Sequence, residues 1–285
     1  MENKAVRTGL KFITAFIGVL LLGALPGLFN GMKLDFSGYL KRLVETLEEL
    51  IHYQDITFRS GNANYQLFPE VFDYATYSIV ILFSALFLSF VVGFVFTYVT
   101  YRFTPPMRKW FKRFAFLTES FPDVFILVIV QIGIIWFYKK TDILLMDIAA
   151  YERIYTMPIL VLSILPAFLF YRIMMQVFEE EFEKPYVELA RTKGVQSTAI
   201  FLVHVFRNAI LSIYFHSPSI VWFTLSNLFI MEFVFNLNGL IRFMYEHPTP
   251  EIFTIGALCL FIPIFLALTL YQFVAERVSK EEALL

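Results

Sequence analysis

At 285 residues, with 58% hydrophobic side chains, only 16% charged ones and a mean hydropathy of +0.67, the chain is too apolar for a soluble domain. A net charge of −1 gives no basis for nucleic-acid binding. The single cysteine, Cys259, lies in an apolar run and excludes an intramolecular disulfide.

Residues 10–29 form a first apolar run behind Lys4, Arg7 and Lys11. About 20 such residues cross a bilayer core of about 30 Å. More spans follow, so a retained first helix is expected rather than a cleaved leader. Residues 30–73 are polar. Within them Leu40, Leu43, Val44, Leu47, Leu50 and Ile51 recur at helical spacing, with Lys41, Arg42, Glu45, Glu48 and Glu49 on the other face. This amphipathic helix is expected on the membrane surface or on its own bundle, in preference to a contact with a substrate-delivery protein. Residues 58–64 read as a turn through Ser60-Gly61-Asn62.

The second span is 74–100. Arg102, Pro105, Pro106, Arg108, Lys109, Lys112 and Arg113 follow as a basic, proline-broken loop that sets topology and meets anionic headgroups. The third span is 120–138, and 139–155 is a short polar loop. The fourth span is 156–177, with Pro158 near its start and Pro166 in its middle. A mid-span proline frees a carbonyl and bends the helix. Glu179, Glu180, Glu181 and Glu183 then read as a solvated acidic face.

Residues 178–207 are polar and interrupted. Pro185 suits the first position of a short helix. Tyr186, Leu189, Ala190 and Lys193 share one face. Arg191 and Lys193 complement the dipole in the last turn, and Gly194 supplies a left-handed stop. So short a helix is marginal alone in water, so its surroundings must hold it. The fifth span is 208–235, interrupted at Pro218; 236–250 is a loop; the sixth span is 251–275, with Pro263. Polar residues inside spans mark pathways when they are more than packing. Asn227, His216 and Glu232 are the candidates, alongside Gln131 and Gln272. For Glu232 a gate and a carboxylate snorkelling to the outer interface stand equally open. His216 sits beside Pro218, in reach of a freed carbonyl.

Glu188-Leu189-Ala190, three residues, then Gly194 resembles the EAA loop of ABC-importer permeases. The string Ala190-Arg191-Thr192-Lys193-Gly194, followed by His204, Arg207 and Asn208, is similar to the A-R-A-K-G and H-x-L-R-N pattern of the peptide/nickel branch. Phe206 replaces the usual Leu, and Leu189 departs from E-A-A; both stay apolar. Ser120-Phe121-Pro122, Glu232-Phe233-Val234-Phe235 and Gly239-Leu240 also resemble that family, whose frequent terminal Asp-Pro-Arg is absent. The resemblance implies an all-α polytopic membrane protein: six transmembrane helices in a type I ABC-importer-like bundle, one permease domain over 1–285, with a cytoplasmic coupling helix. It implies ATPase coupling through Tyr186, Glu188, Leu189, Ala190, Arg191, Lys193, Gly194, His204 and Arg207. The implied partners are a second related permease in a heterodimer, two ABC ATPases, an extracytoplasmic substrate-binding lipoprotein and the lipid of a prokaryotic inner membrane. Peptides fit that branch best, with nickel or other chelates also within it.

Charge bears independently on topology. Six spans put both termini on one side, and that side carries 15 of the 23 Lys and Arg residues. The positive-inside rule therefore puts the termini and the 178–207 loop in the cytoplasm. No G-x-x-x-x-G-K-[ST] string occurs, since Lys193 precedes the lone Gly194 of its segment, so ATP hydrolysis is expected in a partner chain. No cofactor or metal is expected, the four His being scattered. Two other classes stay open. One is an ATPase-independent channel or carrier, which would call for ionisable groups dense at mid-span. The other is a permease-like sensor or scaffold subunit that no longer transports.

Overall fold

The computed structural model describes residues 4–30, 33–143 and 153–280. Residues 144–152 of the 139–155 loop, and 31–32 of the 30–73 loop, lie outside them. The helices are α1 (Lys4–Gly23), α2 (Phe36–Ile51), α3 (Glu70–Arg102), α4 (Pro105–Glu119), α5 (Asp123–Thr141) and α6 (Thr156–Phe182). They continue with α7 (Pro185–Thr192), α8 (Ser197–Ala199), a π-helical stretch Ile200–Val205, α9 (Phe206–Val234), α10 (Leu240–Glu246) and α11 (Pro250–Lys280). Among the described residues six helical runs are long and apolar enough to cross a membrane: Val6–Gly23, Glu70–Arg102, Asp123–Thr141, Thr156–Phe182, Ser197–Val234 and Pro250–Arg277.

Several boundaries differ from the sequence reading. The first span ends at Gly23 rather than at residue 29, because Leu25–Leu28 closes into a 3₁₀ turn around Pro26. The expected proline-broken loop is helix α4. Pro105 and Pro106 occupy its first turn, where a missing N–H costs no intrahelical bond. The fifth span starts eleven residues early, at Ser197, and residues 236–250 contain α10. Residues 30–73 add two antiparallel hairpins, Phe29–Asn30 with Lys33–Leu34 and Thr57–Ser60 with Ala63–Gln66; the second turns at Gly61-Asn62, inside the expected turn.

The chain forms two compact units, Met1–Val80 with Leu237–Thr269 and Ile81–Asn236 with Leu270–Leu285. In the first unit, Asp35 caps α2 by accepting the Gly38 N–H at 2.9 Å. That bond and the Ser37 hydroxyl hold its carboxyl below the usual range. The Tyr39 hydroxyl donates to the Leu21 carbonyl at 3.1 Å, and Arg42 binds Glu251 of α11 at 2.8 Å. Thr46 is fully buried. Thus Arg42 and Thr46 of α2 face the protein, while Lys41 and Glu48 stay exposed. Its apolar stripe of Phe36, Leu40, Val44, Leu47 and Ile51 is 40–74% exposed, an orientation fit for a lipid surface rather than for water. Aromatic packing fixes the second hairpin, with Phe58 edge-on to Phe243 at 5.0 Å and Tyr74 stacked on Phe243 at 4.5 Å.

In the second unit, small residues let α3 and α6 touch. Ala85, Ser89, Gly93 and Thr97 recur every fourth residue and are all buried. A Cβ on Gly93 would lie 2.7 Å from the Phe170 Cβ and 3.0 Å from the Tyr171 nitrogen. The Ser89 hydroxyl is shared between the Ala85 carbonyl at 2.6 Å and the Ser163 carbonyl of α6 at 3.0 Å. Gln131 of α5 donates to the Val234 carbonyl at 2.6 Å, satisfying an acceptor that the end of α9 leaves open. Helix α4 lies along α6 through Lys112–Glu179 at 2.5 Å and through Ala115 packed with Tyr171 and Met175.

Candidate functional site

Helix α7 and its surroundings form the site. Pro185 opens it and Lys193 closes it in the α region. Gly194, at φ +77°, makes the stop. The Gly194 N–H donates to the Arg191 carbonyl at 3.0 Å and the Val195 N–H to the Ala190 carbonyl at 3.1 Å. These two bonds are a Schellman closure, and Val195 packs into the same apolar cluster as Ala190.

Two layers hold this short rod. The apolar layer comprises Val187 and Ala190, buried against Ile200, Phe201 and Val205 from the π-helical stretch and Phe178 of α6. Phe178 meets Phe201 edge-on at 5.0 Å, and Phe94 of α3 meets Phe206 at 4.8 Å. In the π turn the Phe206 N–H reaches the carbonyl of Phe201, five residues back. This wide turn re-phases the helix, and Ile200, Phe201, Val205 and Ala209 all end up inside.

The polar layer centres on Glu181. It is 4% exposed and accepts Lys184 Nζ at 2.5 Å and the Tyr186 hydroxyl at 2.8 Å. The expected solvated acidic face is therefore divided: Glu179 pairs with Lys112, Glu180 accepts from Gln176 at 3.3 Å, and Glu181 is an internal anchor. A run of four acids within five residues hides this, because the run does not reveal which member faces Tyr186. The only sequence clue is the five-residue step from Glu181 to Tyr186.

The candidate residues therefore divide by face. Glu188, Leu189, Arg191, Lys193 and Gly194 are exposed; Tyr186 is half-buried and Ala190 buried. The buried pair is Val187 and Ala190, not the stripe of Tyr186, Leu189, Ala190 and Lys193 read from spacing. His204 and Arg207 are half-buried on the following helix, and the Asn208 side chain donates to the His204 carbonyl at 3.1 Å.

The three span candidates do not converge. Glu232 is 0% exposed, which removes the snorkelling alternative. Asn227 is also buried; its amide donates to the Phe223 carbonyl at 3.0 Å, and its Oδ1 has no partner among the described residues. Five residues of helix set Asn227 and Glu232 about 140° apart around α9. His216 is exposed, and among the described residues no bond joins it to the Tyr214 carbonyl that Pro218 frees; the neighbouring Ser217 hydroxyl donates to the Ile213 carbonyl at 3.0 Å.

Six membrane-length helical runs among the described residues define a multi-pass α-helical membrane protein. Residues 89–280 match the family of binding-protein-dependent transport system inner membrane components, and the chain belongs to that family. It is thus a permease subunit of an ABC importer, a transport component rather than a catalytic one. No curated protein matches the chain.

Proposed function

We propose that the chain is half of the translocation path of an ATP-driven importer of peptides, and that α7 is the cytoplasmic rod through which a separate ATPase drives it. The supporting observation is the division of α7 into a held face and an offered one. Val187, Ala190 and Tyr186 tie the rod to α6 and α9, while Glu188, Leu189, Arg191, Lys193 and Gly194 stand exposed. A displacement imposed on the exposed face passes into α6 through Glu181 and Phe178, and into α9 through Phe201. Rigid-body alternation of such a bundle needs a contact of this kind. Its termini and α7 lie in the cytoplasm on this reading, which the asymmetry of Lys and Arg supports. A related permease, two ATPases and an extracytoplasmic binding protein complete the assembly. Glu232 and Asn227, buried within α9, are the groups assigned to the path. His216 has no assigned role.

The test is a cysteine at Leu189 in a Cys259→Ser background. On this reading it crosslinks to a co-expressed ATPase from the same operon, and labelled-peptide uptake requires that ATPase. Uptake by the purified chain alone in liposomes, or labelling of residue 193 from the exterior, would overturn it.

A further inference from the structure

A cavity of about 380 Å³ lies beside α7, within the second unit. Its polar lining is Tyr98, Arg102, Arg191, Ser197 and Thr198, and Phe182 and Phe201 form an aromatic floor with Tyr101. Two guanidinium groups therefore face one space. Among the described residues neither is paired with a carboxylate. Arg102 donates to the Tyr98 hydroxyl at 3.3 Å and reaches the Thr198 hydroxyl at 3.5 Å. Arg191 lies beside the Tyr101 hydroxyl. Tyr101 is itself rigid: its ring stacks on Phe182 at 4.0 Å, and the Arg108 guanidinium covers it at 4.3 Å. The nearby carboxylates are occupied, Glu179 by Lys112 and Glu181 by Lys184 and Tyr186. Neutral hydroxyls lie beside both arginines, which are exposed, and among the described residues no carboxylate pairs with either.

We infer that this cavity binds a phosphate group, that of an anionic phospholipid headgroup. Guanidinium forks match phosphate oxygens bidentately, and the Ser197 and Thr198 hydroxyls supply further donors in the same space. The helical run Ser197–Val234 begins at the cavity, so its positive end adds to the field. Arg102 is the last residue of the span Glu70–Arg102 and Ser197 the first of the span Ser197–Val234. The cavity therefore sits where two membrane-length helices end, so the part of a lipid that meets it is the headgroup and not the acyl chain. The volume exceeds that of about ten waters, enough for a phosphate and its glycerol. The bound headgroup bridges α3, α7 and α8, so it stabilises the rod against the bundle.

This inference does not depend on ATPase docking, because it is read on the isolated full-length chain. The chain is placed in nanodiscs of phosphatidylcholine with or without phosphatidylglycerol, and in detergent with inorganic phosphate. Thermal unfolding and native mass spectrometry report binding. Phosphatidylglycerol should raise the unfolding midpoint of the wild type, and Arg102→Gln should weaken its retention roughly tenfold. Arg102→Lys should restore part of it, and Arg7→Gln, which is not among the lining residues, should change nothing. Equal protection by inorganic phosphate would support the phosphate site and identify a soluble source. The inference is overturned if Arg102→Gln, with wild-type helical content, retains phosphatidylglycerol and phosphate as the wild type does. It is also overturned if neither ligand binds and only an ATPase shields Arg102 from phenylglyoxal.

Discussion

Two amphipathic helices outside the spans, α2 and α7, are alike in pattern and opposite in use. Helix α7 turns Val187 and Ala190 inward and offers charge outward. Helix α2 turns Arg42, Thr46 and Glu49 toward its own unit and offers Phe36, Leu40, Val44, Leu47 and Ile51 outward. Amphipathicity thus identifies a helix without saying which face meets protein. The neighbours decide it. Around α7 lies an aromatic cluster that accepts apolar side chains; beside α2 lies the Glu251 carboxylate, which accepts an arginine. An apolar face left outward beside membrane spans then suits lipid.

The largest effect expected on this contrast comes from Glu181→Ala. It strips the Tyr186 hydroxyl and Lys184 of their acceptor, and about 1–3 kcal/mol of local stability goes with it. Amide exchange of residues 185–193 should accelerate while exchange within α2 stays unchanged. Unaltered protection of α7 would mean that the apolar layer alone holds it.

Gly194→Val comes next. A β-branched residue at φ +77° is strained by about 1–2 kcal/mol, although nothing lies within 4 Å of the added Cβ. The unfolding midpoint should hardly move while uptake and ATPase stimulation fall. Gly194→Asn, which tolerates the left-handed region, should be milder. Undiminished uptake by the valine variant would show that the stop is not part of coupling.

Val44→Asp addresses the other helix. It should cost less than about 0.5 kcal/mol in detergent, because more than half of the residue is exposed. In nanodiscs it should withdraw α2 from the lipid, seen as weaker quenching of a probe at Leu40 by brominated acyl chains. A large loss of stability in detergent would show that the stripe packs on protein.

The smallest expected effect is a pH dependence in α2. Burial, then the hydrogen bond and charge of Glu251, push the Glu49 carboxyl up to about 7, against the opposing Arg42 and with a further push from Glu45. The folded form therefore keeps this proton at a pH where the unfolded chain has lost it. Its contribution to stability is fullest below the ordinary carboxylate value of 4.5, declines as pH rises toward 7, and is flat above. Exchange of α2 amides at pH 5 and pH 8 should reveal this, and Glu49→Gln should remove the slope.

Local chemistry made much of this molecule legible before any coordinates. Apolar runs long enough for a bilayer appear as six spans, since length and hydropathy act along the chain itself. Pro185 and Gly194 bound α7 as their backbone preferences require. Where the reading failed, the deciding partner was distant in sequence. Proline read as a breaker before Arg108 proved an initiator, because α6 gave α4 a surface at Glu179 and Tyr171. Four clustered acids read as solvated hid Glu181, whose burial depends on where α7 turns back. Hydropathy established that the chain enters a membrane, and the backbone preferences of Pro185 and Gly194 established where its short rod begins and ends. Only packing decided which face of each amphipathic helix is held, because a helix's own periodicity is blind to the charge and shape of what it meets.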